Sequence, residues 1–214
     1  MLIPAIVLFV TVPVTLIVVG PIVSALSNGI GSVVSGLWRM APALGGLVMG
    51  GFWQVLVMTG LHTGMTPFII EMLMQNGCDI LGICVTSSMF ALAGVAFACF
   101  TATRDSNRKQ TSISAMISAL LGVTEPAIYG IALPFDKAFL SAIAGGGIAG
   151  AIGAVLGVKI YGFGGNALLQ LPFTFAEGQG LTNTLLWAVT VAVAFILSFV
   201  LARVLCRKTF AKEG

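Results

Sequence analysis

Two places in the sequence set a titratable side chain beside a break in the backbone. The first is Gly122-Val123-Thr124-Glu125-Pro126-Ala127-Ile128-Tyr129-Gly130. Pro126 disfavours helix at Glu125 and suits the first turn of a following helix, so two short helices should meet here. The flanking residues are apolar enough to lie at membrane depth, where a carboxylate is expensive. Broken backbone is tolerated there only where it lines a cavity or is buried in protein, so the chemistry implied is binding of a polar ligand. Open N–H groups at the start of the second helix would add donors. A Glu that merely caps that helix start is the competing account, although Ser or Thr would cap it as well. The second place is His62 in Gly60-Leu61-His62-Thr63-Gly64. Its glycines imply close backbone approach, while a lone histidine near a membrane interface also serves as a snorkelling polar side chain.

Other chemistry finds little support. Cys78, Cys84, Cys99 and Cys206 form no Cys-x-x-Cys pair, and a single histidine leaves too few ligands for zinc, so they read as small buried apolar residues and no metal or cofactor is expected. No phosphate-binding Gly-x-x-x-x-Gly-Lys-Ser/Thr loop is present, so energy must come from a gradient or a partner. Glu177 lies in a polar loop and fits a solvated role. The neighbouring glycine-rich stretch 162 to 173 fits a shallow re-entrant loop and an ordinary loop equally.

The elements that hold these residues must sit in lipid. Of 214 residues, 58% are apolar and only 8% charged, too few to cover a water-soluble surface. The short basic clusters lack the pattern of a nucleic-acid surface. Apolar runs at about 1 to 26, 43 to 61, 80 to 100, 138 to 158 and 184 to 205 are each long enough to cross. The first should be kinked by Pro4, Pro13 and Pro21, and it is too long and too poorly charged at its start to be a cleaved signal. Residues 111 to 135 are interrupted at Glu125-Pro126, and a first limb of 13 residues reaches only ~20 Å, so a re-entrant hairpin is predicted. Residues 62 to 79, with His62, Pro67 and Glu71, form another broken segment that is expected to return to its own side. The fold class is therefore an all-α integral membrane protein with about five transmembrane helices and one or two re-entrant hairpins. The small residues Gly145, Ala149, Gly153 and Gly157, beside Gly146 and Gly150, predict close helix packing.

Basic residues prefer the cytoplasmic side of short loops, which puts Arg104, Arg108, Lys109 and the tail Arg203, Arg207, Lys208, Lys212 inside. A hairpin that returns inside, followed by two crossings, agrees. Counting backwards places Arg39 inside and the N-terminus outside, with Lys159 alone among the ten basic residues on the outer face.

The string Gly122-Val123-Thr124-Glu125-Pro126-Ala127-Ile128-Tyr129-Gly130, together with Gly60-Leu61-His62 and Phe52-Trp53-Gln54-Val55-Leu56-Val57-Met58, resembles the membrane component, enzyme IIC, of bacterial sugar phosphotransferase systems. The beta-glucoside branch, with its sucrose and trehalose relatives, is the nearest in pattern, and the likeness runs over essentially the whole chain. The resemblance implies a multi-pass inner-membrane transporter that binds a sugar near the midplane. It would carry the sugar by alternating access and hand it to a cytoplasmic phosphocysteine (IIB) domain for phosphorylation at the 6-hydroxyl. Carried onto this sequence, Glu125 would bond that hydroxyl region, His62 would share the site, and Thr124 and Pro126 would shape the hairpin tip. No phosphocarrier or other catalytic residue is expected in the chain. Residues 1–214 would be the C-terminal, sugar-binding half alone. The spans that family members carry before this region would be lacking, as would the IIB and IIA domains. The partners implied are the sugar, a phosphorylated IIB domain, the N-terminal half or a complete paralogue, and a second copy as a dimer. An ion-coupled secondary transporter and a truncated, non-transporting fragment remain the alternatives.

Overall fold

A computed structural model describes residues 2–175 and 180–212, so Glu177 and its loop lie outside the described residues. The described chain is helical, and its one ladder-like contact is an antiparallel bridge between Asp79 and Ile160. Five helices are long and apolar enough to cross a membrane: Ile3–Leu26, Pro42–Thr59, Gly82–Ala102, Lys137–Val155 and Thr182–Leu205. They match the five predicted runs.

The first run is longer than expected. Helix α1 (Leu2–Val14) passes through a π-helical turn, Thr15–Val19, into α2 (Gly20–Met40). Pro13 and Pro21 cannot donate backbone N–H groups, and the register shift falls between them. None of the apolar part is buried against the rest of the chain, whereas Trp38 near the far end packs on Gly45.

Glycines set the direction of the next helices. Gly46 and Gly50 of α3 (Pro42–Thr59) meet Gly150 and Gly146 of α8 (Asp136–Val155), in that order, so the two run antiparallel with backbones in contact. On another face of α8, Gly153 meets Ile83 and Gly146 meets Ser88 of α5 (Gly82–Ala102), again antiparallel. Gly145 meets Ser198, and Gly153 meets Thr190, of α9 (Thr182–Leu205). The small-residue ladder is thus a packing device, as predicted, and it serves three neighbours. Only Gly157 falls outside it, taking a left-handed turn (φ 68°) past the helix end with nothing nearby.

These contacts make α3, α5 and α9 parallel to one another and opposite to α8. Residues 60–81 therefore run from the end of the bundle where α3 stops to the end where α5 starts, and the expectation that 62 to 79 returns to its own side is corrected. Gly60 reverses the chain at φ 77°. A 3-10 turn, Leu61–Met65, and α4 (Thr66–Asn76) then cover the distance in two pieces. Together they reach roughly 26 Å, about the length of α3, although neither alone could span. This also moves Arg39. It lines one cavity with Lys159, Glu71 and Cys78, at the opposite end of the bundle from Arg104 and Arg203.

Residues 106–135 do fold back. Helix α6 (Ser106–Leu120), capped by Asp105 accepting from Asn107 N and Arg108 N at 3.2 Å each, rises into the bundle and stops. The chain turns at 121–124 and descends through the short α7 (Glu125–Ala127) and a π-helical turn, Ile128–Ala132. The base is closed by Arg108 lying 5.3 Å over the Phe135 ring, which meets Phe210 of α10 (Arg207–Lys212) edge-on at 5.1 Å. From the other end a second loop enters. Tyr161 N donates to Phe173 O at 2.7 Å, and a 3-10 turn, Ala167–Thr174, packs against α5. All four cysteines are free and buried, as expected.

Candidate functional site

The two re-entrant pieces meet tip to tip. Gly122 at the hairpin turn has φ 96°, and a Cβ there would lie 2.8 Å from Asn166 Cβ, so both the backbone angle and the close approach require glycine. Asn166 is followed by Ala167, a fully buried residue at φ 52°, a conformation that L-residues with a Cβ rarely hold unless the surroundings impose it.

Beside this contact lies a cavity of about 360 Å³, within the range of small-ligand sites. His62 reaches it from the 3-10 turn after α3, Trp53 from α3, Leu121 and Gly122 from the hairpin, Asn166 and Gln170 from the second loop, and Asp79 from the start of α5. A wall of this kind, part aromatic and part amide and carboxylate, suits a ring carrying several hydroxyl groups.

Gln170 holds the second loop in place. Its Oε1 accepts from Thr86 Oγ1 at 2.6 Å and from Trp187 Nε1 at 3.1 Å, and its Nε2 donates to Gly82 O at 3.4 Å. Each polar atom of a buried amide is thereby used, joining the loop to α5 and α9. Asp79 accepts from Leu81 N at 2.7 Å and exchanges two backbone bonds with Ile160, at 2.7 and 2.9 Å.

Of the residues singled out from the sequence, the structure brings His62 to the cavity. It does not bring the other three. Thr124 is buried at 3% exposure behind the tip, and Glu125 and Pro126 are exposed just past it, off the cavity wall. The helix that Pro126 opens has only three residues before the π-helical turn, so its N–H groups form no extended donor set. Trp53, Asp79, Asn166 and Gln170 were not anticipated as site residues. Gln170 had a signal, since it is a single amide in the apolar run Ala167-Leu168-Leu169-Gln170-Leu171, and Asp79 sits where a capping residue precedes a span. His62 Nδ1 and Trp53 Nε1 are sealed from solvent and have no partner, and the two rings meet edge-on with centroids 6.3 Å apart.

The chain can be set beside known proteins. Residues 1–146 match the family "Phosphotransferase system, EIIC". A "PTS system beta-glucoside-specific EIIBCA component" of Halalkalibacterium halodurans is 34% identical over 192 residues, covering 90% of this chain and 30% of the relative. The arbutin-, cellobiose-, and salicin-specific EIIBC component of Escherichia coli is 28% identical, covering 94% of this chain and 42% of its own length. The sucrose-specific EIIBC component of Bacillus subtilis is 29% identical, with 92% of this chain and 43% of that protein covered. The chain thus spans less than half the length of these relatives. No solved structure matches it. A re-entrant hairpin ending in the Thr-Glu-Pro string, five membrane-length helices and a family match over residues 1–146 agree, and this multi-pass membrane chain belongs to the phosphotransferase system EIIC family.

Proposed function

We propose that this chain is the sugar-binding part of a bacterial inner-membrane phosphotransferase transporter for a β-glucoside-type sugar. The observation that carries the reading is the cavity beside the contact of the two re-entrant tips, where His62, Asn166 and Asp79 offer donors and acceptors next to Trp53. The imidazole, amide and carboxylate groups of the wall fit a pyranose better than an apolar solute. The relatives named for beta-glucosides, arbutin, cellobiose, salicin and sucrose point to the same substrate class.

Glu125, exposed three residues beyond the Gly122 tip, would be the carboxylate that bonds the sugar's 6-hydroxyl. Thr124 and Pro126 set its direction by starting the descending limb. The phosphoryl donor would be a phosphorylated cysteine on a IIB partner. The sugar hydroxyl attacks phosphorus, the P–S bond breaks as the P–O bond forms, and the hydroxyl proton balances the departing IIB thiolate, which leaves as the free thiol. None of this chain's cysteines suits the donor role, since all four are buried. A further EIIC segment, or a second EIIC chain, would pack along the uncovered apolar face of Ile3–Leu26. The basic residues Arg104, Arg108, Lys109, Lys137, Arg203 and Arg207 gather at one end of the bundle, which the charge rule makes cytoplasmic, and Arg39 and Lys159 fall outside.

The test is uptake of a radiolabelled β-glucoside by cells without their own carrier, supplied with this chain, the scaffold segment and IIB. Intracellular phosphoglucoside that requires this chain supports the proposal. Free glucoside accumulating without phosphorylation, or no uptake, overturns it.

A further inference from the structure

The cavity wall holds two ring nitrogens whose bonding is unfinished. Trp53 is 5% exposed and its Nε1 has neither solvent nor partner, and the same holds for Nδ1 of His62, the residue it meets at 73° between ring planes. An indole N–H can only donate, and an imidazole nitrogen without its proton can only accept. A buried orphan donor beside a buried orphan acceptor is a costly arrangement unless the two serve each other. Centroids 6.3 Å apart are a separation at which an indole N–H and an imidazole nitrogen directed at each other would fall near bonding distance. His62 is half-buried and lines the cavity, so with Nδ1 sealed its solvent-reachable nitrogen is Nε2.

We propose that Trp53 is the positioning residue of His62. Its indole N–H donates to Nδ1, which holds the imidazole proton on Nε2 and presents a fixed N–H donor to the cavity. The nearest charged group on the same wall is Asp79, which the Leu81 N–H engages. For its ligand the inference rests on the sugar reading: the Nε2–H would meet a hydroxyl oxygen of the sugar, and the tautomer decides that this contact donates.

His62 is the chain's only histidine, so nitrogen-15 labelling of histidine and tryptophan in the purified chain, held in nanodiscs, gives imidazole signals from it alone. At a pH where imidazole is neutral, the parent should carry its proton on Nε2 and show scalar coupling across a hydrogen bond from Trp53 Nε1 to His62 Nδ1. Trp53→Phe should abolish the coupling and let both tautomers populate, and Trp38→Phe should change neither. A parent with the proton on Nδ1, a parent without the coupling, or a Trp38→Phe shift equal to that of Trp53→Phe would overturn the inference. The parent measurement needs no variant to fold. A parent that shows the bond and binds no β-glucoside would support this inference and overturn the sugar reading instead.

Discussion

The contact between the two re-entrant tips makes a sharp quantitative prediction at Gly122. Alanine there meets two separate penalties. The residue sits at φ 96°, which costs an L-residue about 1–2 kcal/mol. Its new methyl would also lie 2.8 Å from Asn166 Cβ and 3.3 Å from the Asn166 carbonyl oxygen, an overpacking worth about 1–3 kcal/mol. Gly122→Ala should therefore destabilise the chain by roughly 2–5 kcal/mol, at the upper end of single-substitution effects. Asn166→Gly removes the Cβ on the other side of the contact. The double variant should recover the Cβ contact, while the carbonyl contact and the conformational part stay, leaving at least about 1–2 kcal/mol beyond the Asn166→Gly effect alone. Reversible denaturant unfolding of the chain in mixed micelles measures all four corners of the cycle. A Gly122→Ala chain within about 0.5 kcal/mol of the parent, or strictly additive single effects, would refute the tip-to-tip contact.

Two further outcomes follow from the site and the helix directions. Glu125→Gln keeps the side-chain shape and removes the charge, so in the reconstituted system sugar uptake and phosphorylation should be lost while membrane insertion is normal; parental transport would return Glu125 to a plain helix-capping role. Arg39→Cys and Lys159→Cys should both be labelled by an impermeant thiol reagent from the extracytoplasmic face, and Lys109→Cys only from the cytoplasm; labelling of Arg39→Cys from the opposite face to Lys159→Cys would contradict the parallel run of α3 and α5.

Much of the architecture was legible because lipid imposes simple length rules. The five spans follow from apolar runs, and the hairpin from the Glu125-Pro126 break after a limb too short to cross. The same length rule misjudged 62–79, because a segment can cross in two pieces when a 3-10 turn and a short helix are joined end to end and Met65 between them is fully buried. That one missed crossing carried into the placement of Arg39 and the N-terminus. With Arg39 beside Lys159, the crossing that precedes it puts the N-terminus on the side of the basic tail. In the site, His62 was found through its glycine flanks. Asn166 and Asp79 were hidden, since what makes them part of the cavity is a contact with Gly122 and a bridge to Ile160, pairings far apart in the chain that no local pattern encodes.

The central claim is that the sugar sits between the two tips. A β-glucoside bearing a small photoreactive diazirine, irradiated with the chain in native membranes and mapped by peptide mass spectrometry, tests it directly. Adducts on His62, Leu121 and Asn166, competed away by unlabelled β-glucoside, are predicted. Competable adducts confined to the separate surface groove at Thr63, Pro67 and Met74, or no competable adducts on the cavity wall, would contradict the account.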